Sequence, residues 1–371
     1  MRSHDARHHL GKLLGDDEIE RIVSSEADIR AILRFEAALA TAQSIHGLIP
    51  VDAALAIGKA CDEFESDTTK LADQTAIDGV VVPVLVDQLK SYLSQDIRRF
   101  VHVGATSQDA IDTSLMLRLK QVVVIYGRRL DDLLSQLAIM CGDHGHKPVM
   151  ARTRMRDAKL ITLKDRLVGW QLPLQRLRQQ LSSLEDTGFP LQLGGPVGTF
   201  GTSDRNERNI AGTLAELLHL RLPERPWHTA RWPVVEIANW MSTLTGFLGK
   251  LGQDVLIMAQ DGISDVRLDG AGSSSSMPHK RNPVKGEVLV ALAEYNATLI
   301  GGMHRALMAE NERSGSMWTL EWLILPQVTL ATGCSLTTAV ELLQAVDLSR
   351  PASAVSAPPG SSGHQPVSGG R

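Results

Sequence analysis

The strongest constraint on this chain is a stretch of residues 109–140 that has no proline and a single glycine, Gly127, with apolar residues recurring at helical spacing. A helix of that length is roughly three times the ordinary helix of about 11–12 residues, and it cannot bury its apolar stripe against itself. It has companions. Helical periodicity covers 157–187, with Pro173 predicted to interrupt it, and then 204–220, 234–264, 284–310 and 317–347. Before it, 17–47 reads as one amphipathic helix on which Ile19, Ile22, Val23, Ile29, Ile32, Leu33, Leu39 and Ala40 form the buried stripe. Gly47 stops that helix and Pro50 opens the next segment, with shorter helices over 51–65, 68–76 and 81–94. Aromatic residues make up only 4% while leucine and alanine abound, which argues against an all-β chain. The pattern predicts an all-α fold: an N-terminal helical domain over 1–105, a central long-helix bundle over 106–348, and a disordered tail over 349–371 rich in proline, serine and glycine. Bundle surfaces this apolar commonly continue into an oligomer.

Charge and cysteine content remove several classes of function. A formal charge of −4 over 371 residues, with no interleaving of basic and aromatic residues, excludes a nucleic-acid binder. Three widely spaced cysteines without a CxxC pair support neither a disulfide framework nor a cysteine-rich zinc site, and suit a reducing, cytoplasmic compartment. The N-terminus has no apolar core of a signal peptide, and the longest unbroken apolar run, 80–86, is too short to span a bilayer. HExxH, the phosphate-binding P-loop and GxGxxG are all missing. The histidines at His4, His8 and His9 lie at a frayed terminus, and His144 and His146 suit the end of a helix.

Three segments carry chemistry. Residues 270–287, GAGSSSSMPHKRNPVKGE, combine a small, hydroxyl-rich loop with Lys280, Arg281 and Lys285. Asn282 and Pro283 suit the N-cap and first position of the helix that follows, whose free N–H groups and partial positive charge suit an anion beneath the loop. A solvated serine-rich linker is the plain alternative. Residues 102–113, HVGATSQDAIDT, place Thr106 and Ser107 at the start of the long helix, where the TSxD spacing also suits an ordinary capping box. Residues 151–158, ARTRMRDA, alternate Arg152, Arg154 and Arg156; an extended strand would turn all three to one side, as a polycarboxylate would need or as a solvated basic edge would show.

In this order, and separated by long helices, the three segments resemble the fumarase/aspartase superfamily. Its signature GSSxMPxKxNP is matched from Ser274 to Pro283, and the likeness extends over about 10–347. The spellings FVHVGATSQDAIDT, PWHTAR and MPHKRNPV look most like the cycloisomerase branch. The resemblance implies an all-α tetramer whose active sites each draw the three segments from three chains. It implies a small polycarboxylate substrate, no metal, no organic cofactor, and no nucleic-acid or membrane partner. The implied reaction closes 3-carboxy-cis,cis-muconate to 4-carboxymuconolactone. By the same resemblance Ser274 handles the proton next to a carboxylate. Lys280 and Asn282 bind that carboxylate, Thr106 and Ser107 bind a second, and His102, Arg152 and Thr153 lie on the substrate side. Glu287 matches the partner of the family's catalytic histidine.

The sequence departs from that pattern in three places. The family histidine falls on Arg154, whose guanidinium cannot act as a general acid near neutral pH. That weakens a lyase reaction such as adenylosuccinate cleavage more than a ring closure whose nucleophile is the substrate's own ionised carboxylate. Arg154 and Glu287 would then form an ion pair in place of His–Glu. The glycine usual before the serine pair is Ser273. The usual C-terminal helical domain is replaced by the tail. A sulfonated muconate suits the arginines as well, and an inactive helical scaffold remains the reading from another class.

Overall fold

A computed structural model of the protein describes residues 9–270, 272–273, 275–277 and 280–348. Twelve α-helices succeed one another among them. The short α1 (Gly11–Leu14), α2 (Asp17–Val23), α3 (Ser25–Ile45), α4 (Val51–Asp62), α5 (Thr68–Asp78) and α6 (Val82–Ser91) precede the bundle. The bundle helices are α7 (Ser107–His144), α8 (Leu163–Thr187), α10 (Trp232–Ala259), α11 (Val284–Ala306) and α12 (Gly315–Ala345), with α9 (Arg205–Leu218) packed outside against α3. The strands are few: a hairpin of β1 (Pro148–Thr153) and β2 (Arg156–Thr162), and the two-residue pieces β3 (Arg267–Leu268), β4 (Gly272–Ser273), β5 (Arg281–Asn282) and β6 (Val346–Asp347).

The connections give the bundle an upper and a lower end. At the upper end the start of α7 bonds to Gly194 and Gly195, just after α8, and to His228 and Arg231, just before α10. Arg313, just before α12, reaches Gln108 there as well. At the lower end the hairpin follows α7, Asp265 after α10 meets Arg152, and Lys147 bonds to the carbonyl of Leu348 after α12. The helices therefore alternate in direction. Their shared core is Leu119, Val123, Tyr126, Leu130 and Leu133 of α7 with Leu177, Leu181, Met241, Leu244, Leu248, Leu289, Val328 and Leu336. Tyr126 stacks on Trp240 and donates its hydroxyl to the carbonyl of Thr329. The indole N–H groups of Trp170 and Trp240 are likewise bonded, to Asp254 at 2.6 Å and to Leu177 O at 3.0 Å, as buried indoles require. Helices α10 and α11 approach closely because of glycine: a β-carbon on Gly249 would stand 2.4 Å from Ala293 Cβ.

The structure revises several local expectations. The predicted helix over 17–47 is broken at Ser24, whose extended backbone (ψ 157°) ends α2 while its hydroxyl accepts from Ala27 N–H to start α3. The apolar stripe survives the break, since Ile19, Ile32, Leu33, Leu39 and Ala40 are all buried. The predicted helix over 157–187 begins only at Leu163, because 157–162 pair with β1. Pro173 does not interrupt α8, which carries it internally between the buried Trp170 and Leu174. Asn282 is not the N-cap of α11; it belongs to β5, and Pro283 takes the cap position. Finally, α12 is long and apolar enough to cross a membrane, which the short-run criterion missed, but 61% of that window is buried among its neighbouring helices.

Candidate active site

Residues that the sequence brings forward fall at two ends of the molecule. The upper group is built on the N-terminus of α7. The Asp109 carboxylate, fully buried, accepts from Thr106 N–H at 3.0 Å, closing the first turn as the TSxD spacing anticipates. It also accepts from Gly194 N–H at 2.7 Å and Gly195 N–H at 2.9 Å, and from His228 Nε2 at 2.8 Å. Four donors on one carboxylate fix the glycine-rich turn 194–198 beside Thr106 and Ser107, both of which are half-buried. Beneath them Arg231 is clamped between two buried carboxylates, Asp112 (2.7 and 3.0 Å) and Glu321 (2.8 and 2.7 Å). Burial works against the Arg231 cation, and those two carboxylates more than offset it, so its pKa lies above the ordinary value. Burial also raises Glu321, against the opposing pull of Arg231. Gln108 links this pair to Arg313, accepting from its Nε at 2.9 Å.

His102 stands just before Thr106 with φ +63°, a left-handed conformation that few side chains adopt. Its Nδ1 lies 2.6 Å from Oε1 of Glu36 on α3. Burial alone would lower the imidazole pKa, but the charge and hydrogen bond of Glu36, with Asp109 beyond, raise it above the ordinary 6.5 against an opposing effect of Lys90.

The lower group gathers around the hairpin and the loop between α10 and α11. Arg152 does not share a face with Arg154 and Arg156. Arg154 and Met155 form the two-residue turn between β1 and β2, with φ +50° and +62°, so Arg156 starts the opposite strand. Arg152 is already paired, through Nε to Asp157 at 2.9 Å and through Nη1 to Asp265 at 3.0 Å. Asp265, itself 6% exposed, also takes Arg166 at 3.3 Å. Thr153 and Arg154 are exposed at the hairpin tip. Across the serine-rich loop, Gly272 and Ser273 pair with Asn282 and Arg281 in antiparallel register, which brings the two loop stems together. Lys280 is exposed, Asn282 half-buried, and Glu287 exposed in the first turn of α11. Among the described residues no side chain caps that helix, so the N–H groups of Val284 and Lys285 at its start are open to another acceptor. Ser274 lies outside the described residues, as do His4, His8 and the tail from 349.

Arg154 and Glu287 of one chain form no ion pair with each other, and no hydrogen bond among the described residues joins the upper group to the lower one. The reason is length. The 38 residues of α7 separate Thr106 from the hairpin, which at ~1.5 Å per residue is about 55 Å of rigid helix. One chain holds half of the constellation at each end. Among the described residues no cluster of three or more histidine, cysteine or acidic side chains could hold a metal ion. Sequence reasoning passed over Glu36, Asp109 as a four-donor hub, His228 and Asp265. Their signal was weak, because each acts through a partner more than 65 residues away.

A bundle of very long antiparallel helices, with hydroxyls at one helix start and a lysine- and asparagine-bearing loop at the other end, defines a lyase-type helical enzyme. The Lyase family matches residues 1–295. The chain is 36% identical to the 3-carboxy-cis,cis-muconate cycloisomerase of Pseudomonas aeruginosa, over 88% of this chain and 72% of that one. It is 34% identical to the enzyme of the same name from Pseudomonas putida, over 89% and 80%. The crystal structure of the 3-carboxy-cis,cis-muconate lactonizing enzyme from Pseudomonas putida superposes with a TM-score of 0.86 at 34% identity, covering 91% of this chain and 77% of that one. This chain belongs to the fumarase/aspartase superfamily of lyases.

Proposed function

We propose that the protein is a 3-carboxy-cis,cis-muconate cycloisomerase, producing 4-carboxymuconolactone in the protocatechuate branch of the β-ketoadipate pathway. The observation that carries this is the likeness, over nearly nine-tenths of the chain, to enzymes of that name. It works in the cytoplasm as a homotetramer, with 1–105 as the N-terminal helical domain and 106–348 as the bundle. In that tetramer the upper group of one chain meets the lower groups of others, since the length of α7 keeps them apart within a chain.

One carboxylate oxygen of the substrate adds to an alkene carbon, anti to the incoming proton. Charge builds on the neighbouring carbon and spreads into its carboxylate. Lys280, the Asn282 amide and the uncapped start of α11 stabilise that carboxylate, with oriented donors of this kind worth about 3–4 kcal/mol each. Ser274, or a water it orients, delivers the proton. Thr106, Ser107 and His102 hold a second carboxylate; at the hairpin tip Arg154 neutralises the third and the Thr153 hydroxyl donates to it, with Glu287 of another chain as the partner of Arg154. Arg152 has a different place: its two acceptors make it the strut of the hairpin. The nucleophile is already ionised, so Arg154 in place of an imidazole costs the reaction no acid or base. The alternative of a sulfonated muconate rested on a surplus of arginine, and with Arg152 engaged that surplus shrinks to Arg154 and Arg156.

The test is an ultraviolet assay with 3-carboxy-cis,cis-muconate and no added metal or nucleotide. Loss of the conjugated-diene absorbance is expected, with Ser274→Ala lowering turnover by about two orders of magnitude or more while the protein stays folded. Turnover of adenylosuccinate, or of the sulfonated analogue alone, would replace this assignment.

A further inference from the structure

Helix α3 presents two buried polar side chains, Glu36 and Gln43, at 2% and 1% exposure. They are seven residues apart and therefore on one face. Both act on the same turn. Glu36 Oε1 lies 2.6 Å from His102 Nδ1, and Gln43 Nε2 donates to Val103 O at 2.6 Å. The turn they hold has left-handed backbone at His102 (φ +63°), followed by Gly104 (φ +74°), where glycine adopts it freely. The left-handed conformation at His102 is less common for a residue with a side chain, and the two contacts help to hold it.

The choice of a carboxylate here needs a reason. No lysine or arginine touches Glu36 among the described residues, and its only hydrogen bond there is to His102. A buried carboxylate without a cationic partner is costly. A glutamine would bridge to the imidazole equally well, so holding the turn does not require the charge. The charge makes sense if the imidazole is to be a cation. A carboxylate only accepts hydrogen bonds, so Nδ1 of His102 is the donor. The other ring nitrogen, Nε2, has no hydrogen-bond partner among the described residues, and the side chain is 16% exposed, four residues before Thr106.

We propose that Glu36 is a positioning residue of the cycloisomerase: it fixes the His102 ring through Nδ1 and keeps it cationic, so that Nε2–H binds a substrate carboxylate beside the start of α7. This rests on the function proposed above, and it adds a residue outside all three motif segments. The charged and titratable groups facing the pair are Asp109 on α7, which supports the cation, and Lys90 on α6, which opposes it. Cys61 on α4 also lies within the field of Glu36, and its thiol is pushed up to about 12 by burial and by Glu36 and Asp62, so it stays uncharged.

The experiment compares wild type with Glu36→Gln, which keeps size and hydrogen bond but removes the charge. Ring resonances of ¹³C-labelled histidine, with His102→Gln supplying the assignment, give the titration of His102 in each. Wild-type His102 is expected to titrate above the ordinary histidine range and to move on addition of propane-1,2,3-tricarboxylate. In Glu36→Gln it is expected to titrate at least about one unit lower, as loss of a contacting opposite charge implies. With 3-carboxy-cis,cis-muconate at alkaline pH, the variant is expected to lose about tenfold in kcat/KM, mostly through KM, with recovery as the pH is lowered to reprotonate the ring. Identical His102 titrations in a folded Glu36→Gln, or no response of wild-type His102 to the tricarboxylate, overturn the proposal. If Glu36→Gln does not fold, the wild-type titration and tricarboxylate response decide it. If wild type does not turn over the muconate, the functional assignment fails, and the resonance measurements still decide the role of Glu36.

Discussion

At the residue scale the upper end of the bundle is governed by buried charge. Arg231 joins Asp112 and Glu321 with all three groups nearly inaccessible. Removing the one cation would leave two buried carboxylates facing each other. Arg231→Met is therefore expected to cost about 3–5 kcal/mol, measured as a shift in urea denaturation. The His102–Glu36 pair carries a pH dependence of definite sign. The folded-state pKa of His102 lies above the ordinary 6.5, so the stability the pair contributes is complete below that pH. It fades as the pH rises through the raised folded value. The stability difference between wild type and Glu36→Gln should thus shrink on the alkaline side; a difference that is flat across this range would show that His102 is not the titrating group. The Thr106 capping box was legible in the sequence because it is local. His228 was not, because its partner Asp109 is 119 residues away and nothing in PWHTAR signals which carboxylate it meets.

At the element scale the hairpin β1–β2 shows how a correct composition can hide a wrong geometry. The alternation of Arg152, Arg154 and Arg156 fits one strand, and the sequence has no Asn-Gly pair to mark a turn. The turn nevertheless falls on Arg154–Met155, because the flanking runs 148–153 and 156–162 can pair with each other and gain their backbone hydrogen bonds. What anchors the hairpin is Asp265, beside the serine-rich loop, gripping both Arg152 and Arg166. Asp265→Ala would leave Arg152 with Asp157 alone and Arg166 with only the carbonyl of Met150, and would remove the carboxylate that stands between the two cations. Faster amide hydrogen exchange over 148–162 is expected, together with lower kcat, and an unchanged exchange rate would mean that strand pairing alone fixes the hairpin. The serine loop stems meet through β4 and β5, a pairing that two residues on each side are too short to announce.

At the scale of the whole molecule, the length of α7 decides where chemistry can occur. His102 and Lys280 stand at opposite ends of the bundle, kept apart within one chain by the length of α7, so on the proposed shared site two inactive variants with lesions in the two groups should complement one another. Mixing His102→Ala with Lys280→Ala, after reversible dissociation and reassembly, is expected to restore measurable turnover. Failure to do so in mixed tetramers confirmed by native mass spectrometry would remove the shared site. The sequence by itself determined the helical class, the long-helix bundle and the chemical vocabulary at each helix start, since periodicity, capping and turn signals act over a few residues. Only the tertiary structure decided the break at Ser24, the hairpin turn at Arg154, the engagement of Arg152, and the buried partners of His102, Asp109 and Arg231. Those depend on which helices lie side by side and which polar groups must then find partners away from water, and such pairings join positions far apart along the chain.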